Sequence, residues 1–206
     1  MYDIFSDTKI VGNYHQNVHI EPKYETNILF KKQSFVYSKG KVKISKQNKE
    51  EICSCFCSAN SQLVLGPGYG DTIVPLQIVK GDTYRLSFQN FVAHTDNINM
   101  IKELDCYIAN CQSGEFGYIW LSCCGNCENI EIETSNELLV NKNNFIACHD
   151  RAKCYVQDHR LLFQGPCAVM IQTKNLSTSD IEESTSIIQN IINCTNSNVR
   201  GKLRNI

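Results

Sequence analysis

The sequence contains no long apolar run and no excess of charge of either sign. No stretch approaches the roughly 18 consecutive apolar residues of a membrane-spanning helix, which argues against a helical membrane protein. Lys and Arg together number 20, against 21 for Asp and Glu. No charge field over the whole chain therefore attracts nucleic acid or an anionic membrane. We expect a soluble globular protein, and 206 residues suffice for one large domain.

The first residues also lack the features of a targeting segment. Residues 1–7 (MYDIFSD) contain two acidic residues and no Arg. They have neither the basic and apolar regions of a secretory signal nor the Arg-rich composition of a mitochondrial presequence. The sequence alone therefore predicts a cytoplasmic protein.

An internal similarity is the most informative feature that the sequence does contain. Residues 90–96 (NFVAHTD) return 54 positions later as residues 144–150 (NFIACHD). The same offset aligns Tyr84 with Leu138 and Leu86 with Val140. Matching apolar positions at a fixed offset are typical of a duplicated structural unit. We expect two or three copies of a β unit of roughly 50 residues that bury their apolar faces against one another.

The distribution of apolar residues predicts an all-β fold. They come in short bursts, and within one of these Tyr84, Leu86 and Phe88 alternate with polar residues, as in a half-buried strand. Turn signals separate the bursts at close intervals, which favours a β-sandwich or barrel. Pro75 cannot donate a ladder hydrogen bond, so its strand is expected at a sheet edge, bulged or broken there.

One helix is predicted near the C-terminus. Ser179 and Glu182 form a capping-box pattern, and apolar residues then follow one helical face as far as Ile192. We expect this helix to pack on the β body. The predicted organisation is one β domain over residues 1–176, followed by the helix and a polar tail over residues 177–206.

Two motifs resemble a known family. Residues 81–86 (GDTYRL), followed by 90–93 (NFVA), resemble its repeating signature of a glycine-acid turn, a strand and a "phe-leu-ala" stretch. Residues 162–173 (LFQGPCAVMIQT) resemble its closing motif, with Gly-Pro-Cys where the family usually has Gly-Pro-Gly. The family is the mitochondrial biogenesis family founded by the altered inheritance of mitochondria protein number twenty-four. The resemblance covers about residues 55–175.

The resemblance implies a fold and a cellular setting. It implies a β-rich body similar to the tryptophan RNA-binding attenuation protein, in a double-stranded β-helix arrangement. It also implies, for the eukaryotic members, a mitochondrial inner-membrane association tied to membrane organisation. The family has no catalytic residues to transfer to this chain.

Twelve cysteines are unusual for a chain of this length. Cys53, Cys55 and Cys57 alternate, so their thiols face one side of a strand. Cys124 and Cys127 have a spacing that lets two thiolates reach one zinc ion. Together these residues are candidate zinc ligands. The competing interpretation is that cysteine serves as a small buried apolar residue.

A catalytic interpretation of Cys148, His149 and Asp150 is weaker. Adjacent residues on a strand point to opposite faces, so the thiol and the imidazole do not naturally touch. The aligned residues 94–96 (HTD) contain no nucleophile. We therefore expect no enzyme activity, and we expect Asp96 and Asp150 to end strands as turn formers.

A basic stretch gives a third candidate site. Seven lysines lie between Lys31 and Lys49 and are interleaved with aromatic residues, and we expect an exposed strand or hairpin with Lys39, Lys41 and Lys43 on one side. Such a stripe suits single-stranded nucleic acid or an anionic lipid surface. It also suits a solvated face that protects an edge strand from aggregation.

Three functional hypotheses follow. The first is a non-enzymatic scaffold or assembly factor, a homo-oligomer with protein partners, acting at a mitochondrial membrane if the resemblance holds. The second is a nucleic-acid- or ligand-binding β module that uses the basic stretch. The third is a cysteine-ligated zinc protein. The first hypothesis requires no cofactor, and nucleic acid is not its expected partner.

Overall fold

The structure, a computed structural model, describes residues 7–46, 51–68, 70–103 and 106–174. The regular structure in these residues consists of β-strands and two short 3₁₀ turns at Lys32–Ser34 and Lys142–Asn144. The predicted all-β class is confirmed. The predicted C-terminal helix and tail lie outside the described residues. Within the described part of the chain, no helix has the length and apolar character needed to cross a membrane.

The strands after β1 (Thr8–Val11) fall into three consecutive segments of six strands each. Segment 1 contains β2 (Asn17–Ile20), β3 (Thr26–Lys31), β4 (Phe35–Lys39), β5 (Val42–Lys46), β6 (Ile52–Cys57) and β7 (Gln62–Leu65). Segment 2 contains β8 (Thr72–Val79), β9 (Thr83–Ser87), β10 (Phe91–Thr95), β11 (Ile98–Lys102), β12 (Cys106–Cys111) and β13 (Phe116–Cys123). Segment 3 contains β14 (Cys127–Ile132), β15 (Glu137–Asn141), β16 (Phe145–His149), β17 (Lys153–Gln157), β18 (Arg160–Gln164) and β19 (Cys167–Gln172).

The same antiparallel pairings occur in each segment. The fifth strand pairs with the second and fourth, as β6 does with β3 and β5, β12 with β9 and β11, and β18 with β15 and β17. The sixth strand pairs with the first and third, as β7 does with β2 and β4, β13 with β8 and β10, and β19 with β14 and β16. Each segment thus contributes two three-stranded halves to the sheets.

A register shift in the third strand also recurs. It lies between Phe35 and Tyr37 in β4, between Phe91 and Ala93 in β10, and between Phe145 and Ala147 in β16. The extra residue on the third strand makes a bulge, which bends the strand and increases its local twist. The bulge therefore sets the same curvature at the same place in each segment.

Among the strands that the structure describes, these pairings form four sheets. Sheet 1 has the order β1-β2-β7-β4, and sheet 4 has the order β15-β18-β17. The six-stranded sheets are sheet 2, with the order β5-β6-β3-β10-β13-β8, and sheet 3, with the order β11-β12-β9-β16-β19-β14. Pro75 lies in β8, an edge strand of sheet 2, so the predicted edge position is confirmed.

In the described residues, three apolar cores lie between successive sheets. Core 1 joins sheets 1 and 2 around Leu65, Phe30 and the fully buried Trp120. Core 2 joins sheets 2 and 3 around Ile119, Leu86 and Ile146. Core 3, between sheets 3 and 4, is smaller and includes Val169, Val140 and Phe163. The apolar faces of the segments are therefore buried against neighbouring segments.

Candidate functional site

Two inter-segment junctions hold the three segments together. In the first, β3 of segment 1 pairs with β10 of segment 2, with Ala93 opposite Phe30 and His94 opposite Leu29. In the second, β9 of segment 2 pairs with β16 of segment 3, with Ala147 opposite Leu86. Both junctions join the second strand of one segment to the third strand of the next. We call these the closed junctions.

In the part of the chain that the structure describes, the second strand of segment 3 and the third strand of segment 1 have no partner from another segment. Within the described residues, β4 pairs only with β7, and β15 pairs only with β18. Strands β4 and β15, which we call the end strands, are edges, whereas their counterparts β10, β16, β3 and β9 are paired on both sides. The end strands therefore differ from other edge strands, such as β5 and β11, whose counterparts are edges in every segment.

Burial changes with this difference in pairing. All five residues of β4 are exposed, whereas all five residues of β10 are buried. Val36, at the bulge of β4, is 49% exposed, but the equivalent Val92 and Ile146 are 0% exposed. On β15, Leu139 is 46% exposed. An exposed strand edge with apolar side chains is a template for pairing with another chain.

The basic stretch lies beside one of these end strands. Lys39 is on β4, Lys43 is on β5, and both they and Lys41 are exposed, as predicted. However, β4 and β5 belong to different sheets, so they do not form the hairpin that was the alternative expectation. Lys31 is buried, and this burial lowers the pKa of its amine, so Lys31 is not part of the exposed stripe.

The alternating cysteines of β6 face inward together. Cys53, Cys55 and Cys57 are buried in core 1, as the alternation predicts. The sulfur atoms of Cys55 and Cys57 lie 3.5 Å apart. The hydrogen bond to Cys57 and burial both raise the pKa of Cys55. This thiol therefore stays protonated at neutral pH.

The second cysteine group is at the connection between segments 2 and 3. Cys123 ends β13 and Cys127 begins β14, so the region joins two strands. The hydrogen bond from Cys123 lowers the pKa of Cys127, whereas the same bond and burial raise that of Cys123. Cys124 is buried nearby, and its backbone N–H donates to Gln172 Oε1.

The two cysteine groups do not meet. The β6 cysteines belong to core 1, while Cys123 belongs to core 2 and Cys127 packs against it. Over the described residues, no three His, Cys, Asp or Glu side chains converge as metal ligands. A zinc site that combines both groups would therefore need a rearrangement of the chain.

Residues 148–150 are separated as the strand pattern predicts. Cys148 is buried in core 3, and burial raises its pKa to about 12, so it is a thiol and not a thiolate at neutral pH. His149 Nε2 lies 3.4 Å from Asp82 Oδ1 instead of beside the thiol. Asp150 follows the end of β16 and forms an ion pair with Arg85 at 2.6 Å. These residues stabilise a closed junction.

A cavity of about 590 Å³ lies between segments 2 and 3. Its lining combines apolar side chains, including Phe88, Phe145 and Leu161, with the cationic side chains of Lys102 and Lys142. The Lys102 amine lies 4.3 Å from the centre of the Phe88 ring, within cation–π range. The volume of the cavity is within the usual range for small-molecule sites. The sequence offered no signal for this cavity because its lining comes from distant strands.

A buried hydrogen-bond network at Gln172 was also missed. Gln172 Oε1 accepts hydrogen bonds from Asn90 Nδ2 and from the backbone N–H of Cys124, and its Nε2 donates to Asn143 O. One side chain thus links two segments. The network also contains a repeated contact, because Asn90 Nδ2 donates to Ser122 O as Asn144 Nδ2 does to Gln172 O.

Comparisons with known proteins support the fold. No family model matches the chain, and no curated protein does. The chain is similar to the crystal structure of protein SPYM3_0169 from Streptococcus pyogenes, with a TM-score of 0.67 and 14% identity. The similarity covers 89% of this chain and 98% of the streptococcal chain. At this identity it shows a shared fold alone.

Proposed function

We propose that this chain is a non-enzymatic scaffold or assembly factor that binds protein through its end strands. The observation that carries the proposal is the contrast at one position of the fold: third strands are buried in segments 2 and 3 and exposed in segment 1. Exposed main-chain groups on an edge favour β-strand addition by a protein partner. The buried, protonated thiols of Cys55 and Cys148 leave these two residues with a packing role.

The proposal includes a specific architecture. The three segments are copies of one unit, each a short double-stranded β-helix like that of the tryptophan RNA-binding attenuation protein, and a C-terminal helix follows them. The strand pairings and the bulge position that the segments share support the proposal that they are copies of one unit. An experimental structure in which segments 2 and 3 superpose strand for strand is the expected result. Different pairings in the two segments would refute it.

The proposed setting comes from the family resemblance. It supports a role in membrane organisation at mitochondria, whereas the residues alone predict the cytoplasm. Imaging of the full chain with a C-terminal fluorescent tag separates the two settings. Co-localisation with a mitochondrial marker is the expected result, and a diffuse cytoplasmic signal would contradict it.

Light scattering after gel filtration, combined with elemental analysis, tests the proposed function. A scaffold is expected to elute with a defined mass, without stoichiometric metal and without nucleic acid. About one zinc per chain, with a melting temperature that chelation lowers, would favour the zinc protein instead. Retention on a nucleic-acid homopolymer that falls steeply with salt would favour the nucleic-acid module.

The cavity supports a second candidate function, the binding of a small anionic amphiphile. Its apolar lining suits an alkyl chain, and Lys102 suits a carboxylate. Dodecanoate is the probe, and it is expected to raise the melting temperature of the wild-type protein but much less that of Lys102→Glu. Lys43→Glu, on the exposed basic stretch, is the matched control. An equal response of both variants would refute binding in the cavity.

A further inference from the structure

The closed junctions define a rule for joining segments. In each, the second strand of one segment pairs with the third strand of the next in one register. His94 lies opposite Leu29 in the first junction, and Cys148 lies opposite Arg85 in the second. The rule therefore holds at both places in the described residues where strands of two segments pair.

The two end strands are the halves of a third junction of this kind. Among the described strands, β15 is a second strand without a following third strand, and β4 is a third strand without a preceding second strand. Sheet 4 holds the three strands β15, β18 and β17, and sheet 1 holds β2, β7 and β4. Joined through β15 and β4, these strands would reproduce the order of sheets 2 and 3.

From this match, and building on the scaffold function proposed above, we infer that β15 of one chain pairs antiparallel with β4 of a second copy of the same chain. Because the two surfaces differ, the interface is head-to-tail and leaves one end strand of each copy for the next. Repetition of this step gives a ring when the rotation closes, and closure removes every end strand.

The register of this pairing follows from the closed junctions. Transferring it places Ser38 of one copy directly opposite Leu139 of the next, with Tyr37 opposite Val140 and Lys39 opposite Leu138.

Packing supports the same arrangement. Val92 and Ile146, the bulge residues of β10 and β16, are completely buried, in core 1 and core 2 respectively. Each of these cores also contains side chains of the preceding segment. By the same geometry, the exposed Val36 would enter core 3 of the neighbouring copy beside Val140 and Phe163. Val36, the most exposed of the three bulge residues, would thus be buried in core 3, the smallest of the three cores.

Charge substitutions at the Ser38–Leu139 pair test the register in the full-length protein. Like charges placed directly opposite each other on paired strands are destabilising, and opposite charges are not. Both residues are exposed, so the substitutions should leave the folded chain intact. Native mass spectrometry is expected to show an assembly for the wild type and a single chain of 23.4 kDa for Ser38→Lys/Leu139→Lys.

Two further variants sharpen the test. Ser38→Lys/Leu139→Glu is expected to assemble like the wild type. Ile101→Lys is the matched control, because Ile101 is a 54% exposed apolar residue on β11, whose counterparts are edge strands in every segment. This substitution should not change the mass of the assembly. Circular dichroism and melting temperature verify that each variant is folded.

The outcomes separate this inference from the proposed function. If Ser38→Lys/Leu139→Lys forms an assembly of the same mass as the wild type, the β15–β4 register is wrong, but the scaffold function is not refuted. Failure of the lysine–glutamate variant to assemble also overturns the register. A wild-type chain that stays monomeric at every concentration overturns self-assembly and leaves another protein as the partner. Stoichiometric zinc or retained nucleic acid would instead defeat the scaffold function itself.

Discussion

Strands β10 and β4 have the same position in segments 2 and 1, yet they have opposite environments. Phe91 of β10 is 1% exposed, and the equivalent Phe35 of β4 is 39% exposed. Both strands have the same bulge and the same partner within their own segment. The difference is that β10 pairs with a strand of the preceding segment, whereas β4 has no such partner among the described residues. Burial at this position therefore depends on a neighbouring segment as well as on local sequence.

Alanine substitution at the two equivalent phenylalanines probes this difference in environment. Phe91→Ala should lower the free energy of unfolding by about 3–5 kcal/mol, because it removes a fully buried aromatic ring. Phe35→Ala should cost only about 1–2 kcal/mol, since its ring is partly in water already. Urea denaturation of both, in the Ser38→Lys/Leu139→Lys background, measures the difference without assembly. Equal losses would show that the two strands are not in different environments.

Removal of the Gln172 side chain measures how much its hydrogen bonds between segments 2 and 3 contribute to stability. Gln172→Ala should cost about 1–3 kcal/mol of unfolding free energy, because Asn90 Nδ2 and the N–H of Cys124 lose a buried acceptor. The matched control is Gln62→Ala, which removes an exposed hydrogen bond to Glu21 and should cost under about 0.5 kcal/mol. A loss for Gln172→Ala no larger than that of the control would contradict the role of this network.

Acid should weaken the first closed junction through His94. Burial lowers the pKa of His94 in the folded protein below its ordinary value of 6.5. Below that pH the unfolded chain binds a proton that the folded chain does not, so stability is present above pH 6.5 and is lost as the pH falls. His94→Cys, which introduces the residue found at position 148, should flatten the fall in melting temperature between pH 7 and pH 5.

For His94→Cys, the informative quantity is the change in melting temperature between pH 7 and pH 5, not the melting temperature at one pH. A lower melting temperature at pH 7 is compatible with the account, because the substitution changes side-chain volume. A slope between pH 7 and pH 5 as steep as that of the wild type would contradict the assignment to His94.

The smallest effect concerns the ion pair of the second closed junction. The side chains of Arg85 and Asp150 are 37% and 40% exposed, so solvent screens their attraction. Asp150→Asn should therefore cost under about 1 kcal/mol, measured by urea denaturation. A loss above about 2 kcal/mol would mean that this pair, and not apolar burial, dominates the junction.

The fold class was predictable because strand alternation is a local property. The alternating apolar residues around Leu86 predict β9 directly. Strands such as β14 (CENIEI) and β17 (KCYVQ) were missed because they are polar or half exposed and carry no continuous apolar signal. The similarity between residues 90–96 and 144–150 located two third strands, but β4 (FVYSK), the third strand of segment 1, has too different a sequence to be aligned with them.

The candidate site was less predictable, for a physical reason. Whether a strand edge is paired depends on contacts between residues far apart in sequence, such as Leu29 and His94. The exposure of Lys39 and Lys43 was correctly predicted, but the role of β4 as an unmatched third strand required the sheet order. The cavity lining and the Gln172 contacts also join distant strands.

Hydrogen exchange at the amides of residues 37–39 measures whether β4 pairs with a second copy of the chain in solution. At concentrations where the wild type assembles, the account predicts that these β4 amides are protected as well as those of residues 93–95 on β10. In the Ser38→Lys/Leu139→Lys variant, the amides that face the outer edge of β4 should exchange rapidly, while those bonded to β7 stay protected. Equally rapid exchange of the outer-edge amides in the assembled wild type would contradict the account.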